Sequence, residues 1–211
     1  MHKPKNSSIV LSIASFLLLI AGCAQPPTEQ IAAAEQAIRD AQSSGAATYT
    51  ADEYAKLEGG LAAIKKEVAE QDGKFPLFRD YGKVEQLVTA AKTDAERVKA
   101  EAVKKMEEAK QAALRAQQTA QEAVKSALDL VAKAPAGKDR AALEAIKTDA
   151  EALKASLIDV QVMLDKSDYM GAQTKAKAIT DKSQAVSHEI ETALAKIGKG
   201  KAVPAKGAKK K

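Results

Sequence analysis

One uninterrupted helical segment constrains the fold of this 211-residue chain more than any other feature. The stretch of about 54 residues from Asp80 to Lys133 contains no Pro and a single Gly. Apolar residues recur along it every three or four positions, which is the period of one face of an α-helix. At about 1.5 Å per residue, the segment predicts one helix roughly 80 Å long.

The composition favours helix in the rest of the chain as well. Ala supplies 45 residues, aromatic residues are 3%, and Trp is absent. A β-sandwich or barrel needs many β-branched and aromatic residues and frequent turns, so this class is excluded. We therefore expect an all-α protein, built as an elongated antiparallel helical bundle or coiled coil around one long shared central helix.

Capping residues and breaks divide the chain into five predicted helices. Thr28 is expected to cap the first, Thr50 the second in a capping box with Glu53, and Asp139 the fourth. Lys105 interrupts the apolar register of the long third helix. The predicted segments are 1–22 (signal peptide), 23–28 (tether), 29–133 (N-terminal helices including the long one), 134–197 (C-terminal helical hairpin) and 198–211 (disordered tail).

Two parts of the chain have the same spacing of apolar residues. The positions Tyr54 to Val68 align with Leu143 to Leu157 at an offset of 89, and Asp80-Tyr81 aligns with Asp168-Tyr169 at an offset of 88. This pattern predicts an internal duplication of a helical hairpin. The alternative is that any two amphipathic, Ala-rich helices align in this way.

The N-terminus has the pattern of an export signal. Lys3 and Lys5 precede an apolar run at 9–21, which at about 20 Å of helix is too short to cross a bilayer comfortably. The run ends in Ile20-Ala21-Gly22-Cys23, which matches the bacterial lipobox. We therefore predict cleavage between Gly22 and Cys23 and lipidation of the Cys23 sulfur. The alternative is an ordinary cysteine that happens to follow an apolar run.

Lipidation of Cys23 would determine where the protein resides. A diacylglyceryl thioether (palmitate-type chains) with an N-acyl chain is sufficient for stable anchoring, and no other cofactor is predicted. Ala24 follows in place of the Asp that favours inner-membrane retention, so we expect an outer-membrane lipoprotein facing the periplasm of the cell envelope. Because Cys23 is the only cysteine, intramolecular disulfides and Cys-based metal sites are excluded.

The segment after the lipobox resembles a group of Ala-rich bacterial envelope lipoproteins. These proteins carry a helical-hairpin domain of unknown function, in which Ala-x-x-Ala-Ile-x-x-Ala is followed by Gly-Ala, a Tyr and an Ala/Leu stripe. The resemblance covers roughly residues 23–95. It implies a helical fold and an envelope location, and no activity. The matching residues are Ala34, Ala37, Ile38, Ala41, Gly45, Ala46, Tyr54, Leu57 and Leu61.

The sequence contains no pattern typical of an enzyme, and neither catalytic nor metal-binding residues are predicted. No phosphate-binding loop, His-Glu-x-x-His or EF-hand motif is present. His188 is expected to face solvent on the last helix. The Gly59-Gly60 pair is expected to allow close packing against a neighbouring helix, with a hinge as the alternative. Residues 23–195 carry a net charge of −4, so no nucleic-acid-binding face is expected.

Aromatic residues cluster at the turn between the second and third predicted helices. Phe75, Phe78 and Tyr81 lie within seven positions of one another. The favoured interpretation is a hydrophobic plug that caps the first bundle. The alternative is a small surface patch that binds a partner.

The C-terminal tail is strongly basic, with seven Lys and no acidic residue from Lys196 onward. One interpretation is a solvated tail, and the other is contact between Lys209, Lys210 and Lys211 and an anionic envelope polymer or lipid head group. The layout also resembles Braun-type lipoproteins, in which a terminal Lys is joined covalently to peptidoglycan; here that residue would be Lys211.

Together these features favour a non-enzymatic, lipid-anchored helical spacer or scaffold of the envelope whose basic tail contacts peptidoglycan. The alternative is a periplasmic adaptor or subunit of an envelope complex that binds a protein partner by coiled-coil pairing along the third helix. Because Ala stripes bury little apolar surface per residue, we also expect self-association or modest stability.

Overall fold

The computed structural model describes residues 25–134 and 140–200. About 90% of these residues are helical and none lies in a strand, so the predicted all-α class is confirmed. The predicted signal peptide, the Gly22–Cys23 cleavage site and Lys209 to Lys211 lie outside the described residues. The helices are α1 (Thr28–Ser43), α2 (Ala46–Tyr49), α3 (Ala51–Asp72), α4 (Gly82–Lys133), α5 (Arg140–Asp165) and α6 (Tyr169–Gly200), with a 3₁₀ turn at Pro76–Phe78.

The chain forms two compact units whose division falls inside α4, between Lys105 and Met106. The 52-residue α4 therefore contributes to the core of each unit, as expected for a long shared helix. Lys105, which interrupts the apolar register in the sequence, stands at this division.

The first unit packs α1, α3 and the first part of α4 around a core of small and branched residues. Ile64 and Val84 are fully buried at one end, next to Ile31 in the first turn of α1. Ile38 and Val98 belong to a second cluster farther along the same helices. An ion pair of 3.0 Å between Lys65 and Glu35 also joins α3 to α1.

The second unit packs the remainder of α4 against α5 and α6. Its core includes Val124 from α4, Val160 from α5 and Ile190 from α6. The helices α5 and α6 run antiparallel, and an exposed ion pair of 2.7 Å between Lys175 and Asp159 joins them at the surface. The last helix was predicted to end at Ile197, but α6 continues to Gly200. Residues 201–211 of the predicted tail lie outside the described part.

The positions that the proposed duplication makes equivalent have similar environments. Val84 and its counterpart Ala172 are both fully buried. Asp80 and Asp168 each accept a hydrogen bond of 2.9 Å from a backbone N–H at the start of the following helix. These similarities support the duplication, which stays a prediction because regular amphipathic helices produce similar burial.

Three local predictions were wrong. Thr28 does not cap α1 but lies in its first turn, after Pro27. Thr50 does precede α3, but it is buried and its hydroxyl donates to the carbonyl of Ala46 at 3.1 Å, because the short helix α2 adjoins it. Gly59 and Gly60 face open space, since a Cβ on either would meet nothing within 4 Å. Close packing therefore does not explain the glycine pair.

Candidate functional site

The connection between α3 and α4 exposes an apolar tip formed by Phe75, Leu77 and Phe78. These three side chains are 65%, 70% and 74% exposed. The rings of Phe75 and Phe78 lie 6.2 Å apart, centroid to centroid, and are tilted by 50°. The predicted plug is therefore wrong, because both phenylalanines project outward. The alternative, a surface patch, agrees with this exposure.

Hydrogen bonds to the backbone brace this loop. The guanidinium of Arg79 donates to the carbonyls of Asp72 at 2.9 Å and Lys74 at 3.1 Å. The amide oxygen of Gln71 accepts from the Asp80 N–H at 3.1 Å and from the Lys74 ammonium at 2.9 Å. The loop thus holds its apolar tip in a fixed form, with two cations beside it that are bound to neutral acceptors.

An ion pair supports the loop from below. Glu67 on α3 is buried, and its carboxylate lies 2.5 Å from the ammonium of Lys83 on α4. Gln71 donates a second hydrogen bond to the same carboxylate at 2.9 Å. The hydrogen bond from Lys83 and that from Gln71 lower the pKa of Glu67, and the hydrogen bond to Glu67 raises the pKa of Lys83.

Tyr81 closes the end of the core that the phenylalanines were predicted to cover. It is only 4% exposed and packs with Val84 and Ile64. Its hydroxyl donates to the carboxylate of Asp72, and this hydrogen bond, with burial, raises the pKa of Tyr81. Because Tyr81 covers the core, the apolar tip is left free for another contact.

The apolar tip lies at the same end of the first unit as the start of α1. Residues near the start of α1, the end of α3 and the start of α4 meet in one cluster that contains Ile31, Val68, Tyr81 and Val84. α1 begins at Thr28, five residues after Cys23. Residues 25–27, the described part of the predicted tether, therefore lead into the end of the unit that carries this loop.

A concave region lies between α4 and α6 in the second unit. It is a shallow groove whose polar lining includes Glu122, His188 and Glu191. His188 is exposed, as predicted. In the described part of the chain no three His, Cys, Asp or Glu side chains converge to hold a metal ion. Every buried side-chain polar atom described has a hydrogen-bond partner.

The site residues that were predicted from the sequence fall outside the part of the chain that the structure describes. Gly22, Cys23 and the three terminal lysines, Lys209 to Lys211, lie outside the described residues. Of the described helices, none is both long enough and apolar enough to span a membrane. Sequence reasoning singled out Phe75 and Phe78 but missed Leu77 and the bracing role of Arg79. Residues 75–79 belong to no helical stripe, which indicates a connection between helices. This signal could have identified Leu77 and Arg79 as loop residues.

Comparison of the chain with family models, with curated proteins and with solved structures found no match.

Proposed function

We propose that this protein is a non-enzymatic lipoprotein of the bacterial envelope, anchored by acyl chains on Cys23, whose helical units act as a spacer or scaffold. The observation that carries the proposal is the run Ile20-Ala21-Gly22-Cys23 placed directly after a short apolar segment. Several acyl chains on one cysteine exceed the anchoring strength of a single chain. The helical units behind the tether support a structural role.

The anchor can be tested by fractionation of cells that produce the full chain. We expect the wild-type protein in the membrane fraction and a Cys23→Ser variant outside it. Ala24→Ser is the matched control, because it alters a small residue next to the lipobox and leaves the sulfur in place. Equal membrane association of the Cys23→Ser variant would overturn the proposal.

Contact between the tail and peptidoglycan is the second element of this proposal. Seven lysines follow residue 195, and each Lys near an anionic surface contributes on the order of 1 kcal/mol at most. The test is co-sedimentation of the protein with purified peptidoglycan. Because α6 runs to Gly200, the truncated variant should lack only residues 201–211. We expect it to lose binding; retention of binding would contradict this element.

A protein adaptor is the second candidate function, and one observation on α5 favours it. The apolar stripe of α4 that was expected to pair with a partner is largely buried inside the two units. On α5, however, Ile158 and Val162 are 67% and 43% exposed and lie four positions apart, on one helix face. This pair could pack against an amphipathic helix.

Crosslinking in intact cells separates the two candidates. An adaptor should give a crosslinked species that survives removal of residues 201–211 and disappears in an Ile158→Ser/Val162→Ser variant. The matched control is Ala152→Ser, also exposed on α5. For a spacer held by its tail, the crosslinked species should disappear when residues 201–211 are removed and should survive in the Ile158→Ser/Val162→Ser variant.

A further inference from the structure

We propose that the apolar tip at Phe75, Leu77 and Phe78 is a second membrane contact, which inserts into the interface of the same bilayer that holds the Cys23 acyl chains. The inference rests on the proposed anchor for its choice of bilayer. It assigns an activity, bilayer insertion, to a loop that has no role in the anchor itself.

The form of the loop is the first step. Single exposed apolar residues are common on protein surfaces and need no explanation. Here, three large apolar side chains project together from a four-residue stretch, each at least 65% exposed. They form a protruding tip at a helix–helix connection. A bilayer interface accepts such a tip without a preformed pocket.

Rigidity is the second step. Arg79 holds two backbone carbonyls, Gln71 holds the Asp80 N–H, and Tyr81 fills the core beneath. Because Tyr81 already covers the core of the first unit, the loop does not need to fold down over it. Insertion would therefore order few additional groups, which keeps the entropy lost on binding small.

Position is the third step. The tip shares one end of the first unit with the start of α1, as shown by the cluster of Ile31, Val68 and Tyr81. Four residues separate Cys23 from Thr28, and the five Cα–Cα steps between them span at most about 17 Å when the chain is extended. An anchored Cys23 would thus keep this end of the unit close to the bilayer surface, where the tip can reach the interface.

Charge is the fourth step and favours anionic head groups. Lys74 and Arg79 flank the tip, and their hydrogen bonds go to an amide oxygen and to carbonyl oxygens. Lys74 also lies within the field of the Glu67 carboxylate, but the hydrogen bonds of both cations go to neutral oxygens, so their charges can attract phosphate groups at the depth where the phenylalanines enter. Cations that flank an apolar patch are the usual arrangement at a membrane interface.

The absence of Trp from the chain makes a direct test feasible. A Phe78→Trp variant of the full lipidated protein carries one indole fluorophore, at the tip. It is reconstituted in vesicles of phosphatidylethanolamine and phosphatidylglycerol, with the latter brominated on its acyl chains. An Ile158→Trp variant is the matched control, because Ile158 is 67% exposed in the second unit. Circular dichroism checks that both variants are folded.

We expect the brominated lipid to quench the indole of the Phe78→Trp variant at least twofold more than that of the Ile158→Trp variant. This excess should disappear when Phe75→Ser and Leu77→Ser are added to the first variant. If the protein floats with the vesicles but its tip indole is unquenched, insertion of the tip is overturned and the anchor stands. This holds even if the tip binds a protein groove instead. Equal quenching in the two variants would also contradict a loop-specific contact.

A Cys23→Ser background separates the tip from the anchor. Flotation at the wild-type level of a Cys23→Ser protein that also carries Phe75→Ser, Leu77→Ser and Phe78→Ser would refute the proposed anchor, because neither membrane contact then remains. Quenching of the Phe78→Trp indole in the Cys23→Ser background alone would still support insertion of the tip, because the measurement reports the depth of the loop and not the presence of acyl chains.

Discussion

The carboxylate of Glu67 lies 2.5 Å from the ammonium of Lys83 and joins α3 to α4 directly below the exposed loop. Glu67 is buried, whereas the Lys83 side chain is largely exposed. The pair therefore fixes the helix ends that carry the apolar tip while one partner remains in contact with solvent.

This ion pair should make stability depend on pH on the acid side. The lowered pKa of Glu67 means that its contribution is present above the ordinary Glu value of about 4.3 and is lost as pH falls through the lower folded value. We expect Glu67→Gln to reduce stability at pH 7 and to flatten the loss of stability as pH falls below the ordinary Glu value of about 4.3. Urea unfolding at a series of pH values measures this.

The control for that experiment is Glu70→Gln on the same helix. Glu70 is half exposed and lies 3.7 Å from Lys66, an exposed pair of the kind that contributes little. Its replacement should reduce stability at pH 7 by less than Glu67→Gln does, because exposed pairs contribute little. Equal effects of the two variants would contradict the role given to Glu67.

The exposed tip should contribute almost nothing to folding. Replacing Phe75 and Phe78 together with Ser should change the free energy of unfolding by no more than about 0.5 kcal/mol per site. Ile64→Ala, at a fully buried position, should cost about 2–5 kcal/mol. Thermal unfolding followed by circular dichroism compares them. A large loss in the double Ser variant would restore the plug interpretation.

Gly59 and Gly60 should lower the stability of the protein, because glycine is unfavourable in the interior of a helix. Because a Cβ at Gly59 or Gly60 meets open space, Ala at either position should stabilise the protein by about 0.5–1 kcal/mol. Gly45 is the contrasting control, since its φ of 90° lies in the left-handed region and a Cβ would press on Tyr49 at 3.0 Å. There, Ala should cost about 1–2 kcal/mol. Urea unfolding of the three variants measures these differences, and destabilisation by Gly59→Ala would imply a contact that the structure lacks.

The turn between α5 and α6 should respond to two substitutions in opposite directions. A Cβ at Gly171 would overlap the Asp168 carboxylate that accepts the Gly171 N–H, so Gly171→Ala should cost about 0.5–2 kcal/mol through loss of the cap. Ser167 has a φ of 60°, and Ser167→Gly should stabilise by about 1 kcal/mol. Urea midpoints that move in the same direction for both would be inconsistent with this geometry.

Helical periodicity predicted the fold class and most of the core, because the 3.6-residue period alone determines which face of each helix is apolar. Ile64, Val84 and Val160 each fall on the apolar period of their segment, and all three are fully buried. Tyr81 was predicted only as a member of the aromatic cluster at the turn; it lies three positions before Val84 and is buried with it.

The loop and the helix starts could not be predicted in this way. Phe78 lies one turn before Tyr81, but Arg79 is extended, and this break turns the ring outward. The hydrogen bond of Thr50 depends on the short helix α2, which has no periodic signal of its own. In both cases the outcome depends on backbone geometry at a connection, which composition and period do not determine.

The most direct measurement is the intact mass of the mature protein purified from membranes. We expect a chain that begins at Cys23 and carries the added mass of a diacylglyceryl group and an N-acyl chain. A chain that retains residues 1–22, or one that begins at Cys23 without added lipid, would contradict the anchor on which the proposed role depends.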